Sequence, residues 1–168
     1  MILGMSTFTF VHTLISLAAL VLGIVVVIGL IRGRLLPVWT ELYLATAVAT
    51  SATGFGFPFD RFLPSHWIGV LSLALLAIAI TARYRLHFAG AWRWIYAVSV
   101  VITVYFLVFV TIVQAFLKVP ALHAVAPTQA EPPFVFAQFS ALLAFLALTI
   151  TVVLRFRPQP AVLASPQG

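Results

Sequence analysis

Cysteine is absent, and the 168-residue chain has just three acidic side chains, Glu41, Asp60 and Glu131. The first absence excludes disulfides, thiolate metal sites and thiol redox chemistry. The second leaves every long apolar stretch without a carboxylate at its middle, which ion-coupled transporters and proton pumps ordinarily require. No H-E-x-x-H, G-x-S-x-G or phosphate-cradling glycine loop occurs, so protease, hydrolase and nucleotide-driven readings lose their support and no enzymatic activity is indicated. Nor is there a polar stretch long enough to fold as a separate soluble domain. The first ten residues, MILGMSTFTF, contain no Lys or Arg. A secretory signal peptide needs a basic start, so the first apolar run is expected to be a retained helix.

What the chain does have is hydrophobicity: 64% apolar residues, 7% charged and a mean hydropathy of +1.20. Average soluble composition is far more polar, which makes this an integral membrane protein. The net charge of +6 does not indicate nucleic acid, because the bases sit at the ends of apolar segments as orienting charges.

A hydrocarbon core takes about 20 apolar residues as helix. Five segments meet or approach that length: 8–31, 39–57, 66–86, 91–119 and 134–156. The expected fold is all-α, a bundle of five transmembrane helices with short loops over residues 1–157. Residues 158–168, rich in Pro, Ala, Gln and Ser, form an expected disordered tail. With the N-terminus outside and the C-terminus inside, Arg32, Arg34, Arg83, Arg85, Arg93, Arg155 and Arg157 face the cytosol, against Arg61 and Lys118 outside. An even number of crossings would destroy that asymmetry. The expected location is a bacterial inner membrane. Segment 39–57 is the short one, and re-entry at Gly54-Phe55-Gly56 is its alternative to crossing.

The stretch ATAVATSATGFGFPFDRFLPSH, residues 45–66, is a run of small and hydroxylated residues followed by a Gly-aromatic-Pro turn. Small residues let helix backbones approach closely, so its helix is expected at the centre of the bundle. Ser65 is a candidate helix cap, and Thr128-Gln129-Ala130-Glu131 matches a capping box. Glu41 is placed to pair with Arg34 or Arg83.

Polar residues cluster towards the outer side. His12, Ser16, Ala19 and Gly23 share one helical face; Ser99, Thr103, Thr111, Gln114 and Lys118 form a stripe on the fourth segment; Gln138, Ala141, Phe145 and Thr149 share a face of the last. Polar faces in a membrane turn inward. A polar cavity in the outer leaflet is therefore expected, formed by His12, Thr50, His66, Gln114 and Gln138, with Asp60 at the rim and the turn 54–58 as its wall. Against it stands the structural reading, in which Ser, Thr and Gln make interhelical hydrogen bonds and His66 is exposed at the interface.

Three functions follow. The first is a holder of a neutral, lipid-like cofactor: a quinone bonded by imidazole and amide, or a b-type heme between His12 and His66. The second is a non-catalytic accessory subunit that docks on a larger membrane complex. The third is a homo-oligomeric carrier or channel for a small neutral solute, supported by the polar stripe alone.

Overall fold

Prolines and glycines punctuate the chain where the sequence suggests. The computed structural model describes residues 6–57 and 64–157. Helix α1 (Thr7–Ile31) opens on Ser6, whose Oγ accepts from the Thr9 backbone N–H. Pro37 opens α2 (Pro37–Thr53), which tightens into a short 3₁₀ turn, Gly54–Gly56. There follow α3 (Pro64–Tyr84), α4 (Trp92–Lys118), a short α5 (Pro120–Val125) and α6 (Pro132–Arg155). Pro37, Pro120 and Pro132 sit in first turns, where a missing N–H leaves nothing unpaired. Asp60, Arg61 and the tail 158–168 lie outside the described residues.

Among the described residues, four helices are long and apolar enough to cross a membrane: α1, α3, α4 and α6. Helix α2 has 17 residues, about 26 Å at 1.5 Å per residue. It runs back along the whole of α1. Leu36 packs on Gly29, Tyr43 on Gly23, Thr53 bonds His12, and Gly56 meets Phe8.

Two local expectations are corrected. Ser65 lies inside the first turn of α3, which begins at Pro64. Thr128 is not a helix cap. A residue before proline is pushed to extended backbone, so Glu131 (φ −76°, ψ 155°) stays outside α6 and becomes its cap. Half of the capping box survives: the Glu131 carboxylate accepts from the Thr128 N–H and hydroxyl through one oxygen and from the Ala130 N–H through the other. Desolvation acts to raise the Glu131 pKa, but the Thr128 hydroxyl and these backbone N–H groups outweigh it and hold the carboxyl below its ordinary value. A depressed folded pKa means that the turn is stabilised above the unfolded carboxyl pKa and loosens as pH falls through the folded one. Amide exchange at Thr128 and Ala130 is expected to accelerate across that acidic window, and Glu131→Gln to abolish the pH dependence.

The centre of the bundle is α4, not α2. Helix α4 packs on α1, α3 and α6, and buries Tyr96, Ala97, Ser99, Val100, Val101, Thr103, Val104 and Phe116. Helix α2 lies against α1 and α3 and reaches α4 through its large side chain: the fully buried Tyr43 hydroxyl donates to Thr103 Oγ1 at 2.7 Å. The direction is fixed because Thr103 gives its own proton to the Ser99 and Val100 carbonyls.

The two halves of the bundle differ. The apolar core lies at one end and is built from Val26, Val27 and Leu30 of α1, Leu76, Ala79 and Ala82 of α3, Tyr96 to Val104 of α4, and Val152 and Phe156. The same end gathers the arginines. Arg83 pairs with Glu41 at 3.3 Å, Arg93 donates to the Phe156 carbonyl at 2.6 Å, and Gly33 packs on the Arg155 backbone. At the opposite end Ser, Thr and Gly alternate with Phe55, Phe57, Phe106 and Leu107, and the helices leave space between them.

Candidate functional site

That opposite half contains a cavity of about 450 Å³ between α1, α2, α3 and α4. Along α4 its lining runs from Thr103 to Lys118, about 22 Å at the helical rise. The hydrogen-bonded pair Tyr43–Thr103 lies at its deep end. Exposed Gln114 and Lys118 stand at its mouth. Between them apolar wall predominates, supplied by Leu17, Leu76, Phe106, Leu107 and Val110.

Of the expected site residues, His12, Thr50, His66 and Gln114 line this one cavity, each from a different helix. Gln138 does not. It has the expected depth but faces the other side of α4, where its Nε2 donates to the Phe109 carbonyl at 3.2 Å. Helix α4 stands between α6 and the cavity, so the face of Gln138, Phe145 and Thr149 serves helix packing. Phe145 lies 5.6 Å from the Tyr105 ring, over a small apolar groove between α4 and α6.

The 3₁₀ turn and the residue after it organise the two imidazoles, as the expected wall should. Phe57 meets His12 edge-to-face at 5.0 Å and Phe8 at 4.9 Å. Phe55 stacks on His66 at 5.6 Å with 30° between the planes. A Cβ on Gly69 would lie 3.1 Å from the Phe55 ring, so the glycine in α3 makes room for that stack. His66 is buried, at 5% exposure, which corrects the expectation of an exposed interfacial ring. Of the expected wall 54–58, Gly54, Phe55 and Phe57 line the cavity. Pro58, like Asp60 at the expected rim, lies outside the described residues.

The protons of the site follow from its hydrogen bonds. His12 Nδ1 is 2.8 Å from Thr53 Oγ1, and Thr53 Oγ1 is 2.7 Å from the Ala49 carbonyl. A carbonyl accepts only, so Thr53 donates to Ala49 and takes the Nδ1–H of His12. The opposite assignment, with Thr53 donating to Nδ1, makes one bond in place of two and forfeits about 1 kcal/mol. Neutral His12 is thereby an Nδ1–H tautomer with a bare lone pair on Nε2. Nε2 has no partner among the described residues and is open to the cavity rather than sealed in protein.

Four of the cavity hydroxyls behave alike. Thr13 donates to Thr9, Ser16 to His12, Thr103 to Ser99 and Thr111 to Leu107, each to a carbonyl of its own helix. Their oxygens therefore offer lone pairs to the cavity. Thr50, Ser51, Ser65 and Ser72 line the cavity too, but their hydroxyls donate to no carbonyl among the described residues, and that of Thr50 is buried without a partner there. Thr53, which sets the tautomer of His12, escapes a reading by periodicity because the contact joins residues 41 apart in sequence. No group of three or more metal-ligating side chains forms among the described residues. No family model, curated protein or solved structure matches the chain.

Proposed function

We propose that this protein crosses a plasma membrane, such as the bacterial inner membrane, five times, and binds a neutral, ring-bearing, lipid-soluble molecule in its outer leaflet. A quinone-class ligand fits best. The observation that carries the reading is the cavity itself. It is about 450 Å³, within the usual range for small-molecule sites of roughly 300–1,000 Å³. Most of its surface is apolar, and imidazole, hydroxyl and amide reach it from four helices. A flat apolar ring with oxygen at its ends suits such a slot. A b-type heme is the second reading, favoured by His12 and His66 lining the same space from α1 and α3.

The five-crossing topology draws support from α2. Together with its 3₁₀ extension it accompanies α1 from Gly29 to Phe8, 21 steps or about 32 Å, close to the thickness of a hydrocarbon core of about 30 Å. Crossing by α2 also keeps all seven arginines on one face, the cytosolic one under the positive-inside rule. The cavity mouth then opens outside.

Two experiments test this. The absence of native cysteine makes single-cysteine labelling direct. An impermeant maleimide is expected to label Ala124→Cys in intact cells and to label Arg34→Cys only after lysis; labelling of both from outside refutes crossing by α2. Purified protein is expected to be colourless and to carry extractable quinone, with less retained in His12→Ala. A Soret band lost on the same substitution would select heme. Protein that binds neither would refute the cofactor reading.

A further inference from the structure

The proton inventory of the cavity says more than that a ring oxygen fits there. On the reading that the cavity takes a lipid-soluble ring with oxygen substituents, we infer that it receives the hydroxyl-bearing, reduced form, a hydroquinone or related ring alcohol, whose O–H donates to Nε2 of His12.

Which form binds depends on which groups of the cavity still have a proton to give. His12 is tied through Nδ1–H to Thr53, and Thr53 through its own proton to Ala49. Nε2 is left as an acceptor. A quinone carbonyl placed against it would set lone pair against lone pair, with no proton between them. A ring hydroxyl supplies that proton. The neighbouring oxygens reinforce the choice. Thr13, Ser16, Thr103 and Thr111 have committed their protons to helix carbonyls, so their oxygens add further acceptors to the cavity. Tyr43 has committed its proton to Thr103. Donors remain in the Gln114 amide, the Lys118 ammonium, the orphaned Thr50 hydroxyl and the hydroxyls of Ser51, Ser65 and Ser72, all of which line the cavity. One ring oxygen then donates to His12, and a second accepts from one of these groups.

Thr53 is then a positioning residue. It touches no ligand in this scheme, but it decides which nitrogen of His12 bears the proton, as outer partners of functional histidines commonly do. With Val at 53 the imidazole is free to exchange tautomers and to offer an N–H to a carbonyl instead.

Calorimetric titration of the full chain in nanodiscs with three probes tests the inference: durohydroquinone, duroquinone and the dimethyl ether of durohydroquinone. Wild-type protein is expected to bind durohydroquinone at least about tenfold more tightly than duroquinone, the ether gaining nothing over the quinone. Thr53→Val is expected to shrink that preference below about threefold, and Thr53→Ser to keep it. Duroquinone bound as tightly as durohydroquinone, or a preference that survives His12→Ala, overturns this inference and leaves the cavity reading standing. Binding of neither duroquinone nor durohydroquinone overturns both. A second readout needs no variant and no ligand. In protein labelled with ¹⁵N-histidine, the His12 resonances are expected to show Nδ1 protonated and Nε2 bare. A proton on Nε2 overturns the inference whatever the titrations give.

Discussion

Gly23→Val is expected to destabilise the folded bundle by more than the roughly 1–3 kcal/mol typical of a single overpacked position. A Cβ at residue 23 would lie 2.7 Å from Val104 Cγ2 and 2.9 Å from Tyr43 Cε2. Neither neighbour can retreat. Val104 is in the core of α4, and Tyr43 is fully buried with its hydroxyl anchored on Thr103. The glycine is thus where α1, α2 and α4 come closest, and any side chain there wedges all three apart. Replacing it gains helix propensity worth about 1 kcal/mol, which sets Gly23→Ala nearer to balance and leaves Gly23→Val clearly unfavourable. Two other glycines give the contrast. At Gly56 the added Cβ would also come within 2.7 Å of an atom, but that atom is the ring tip of Phe8, a side chain 43% exposed and able to swing away. At Gly54 the nearest atom is 4.0 Å off, an ordinary contact. The expected order of damage is Gly23→Val, then Gly23→Ala, then Gly56→Ala and Gly54→Ala close to wild type. Thermal unfolding in detergent, followed by tryptophan fluorescence, reads that order. Equal losses at residues 23 and 56 would mean that the three-helix contact is not tight.

The same small residues explain how much of the molecule could be read from its sequence. Apolar runs and flanking prolines mark five long helices to within a few residues, because those signals are local. The polar stripe on α4 is real for the same reason: its period places Thr103, Thr111, Gln114 and Lys118 on one face, and that face lines the cavity. What periodicity cannot supply is the rotation of one helix against another. Gln138 has the right depth and a polar face, yet that face meets α4 from behind. His12 was legible as an unusual residue within an apolar run, but its bond to Thr53 depends on the antiparallel return of α2 and on Gly54 lying beside the ring. Composition also misled about the centre. Ala, Thr and Ser in residues 45–53 suggested a helix surrounded on all sides, whereas their smallness leaves room for the cavity. The larger side chains of α4 fill the core at the other end.

That other end holds the second large effect, an asymmetry between two partners of one ion pair. Glu41→Gln is expected to cost about 1–3 kcal/mol, less than the 3–5 typical of breaking a fully buried pair, because Glu41 is itself half exposed. Arg83→Met is expected to be neutral or stabilising. The two side chains meet at 3.3 Å, yet their surroundings differ: Arg83 is 8% exposed and Glu41 57%. The arginine has lost its water and recovers one carboxylate contact and the face of the Tyr84 ring at 5.1 Å, while its Nε and Nη1 find no hydrogen-bond partner among the described residues. Removing Glu41's charge leaves that guanidinium buried and uncompensated. Removing Arg83 releases Glu41 to solvent beside it and ends the desolvation cost, and a methionine follows the path of the arginine stem through apolar neighbours. The double variant should then resemble Arg83→Met alone, since Glu41 matters to the fold only while Arg83 is there. Six arginines remain at that end, so the orientation in the membrane should survive the change. Unfolding of the four proteins of this cycle in a denaturing detergent gives the coupling directly. Equal losses for the two single variants would show that the guanidinium is better satisfied than its geometry indicates.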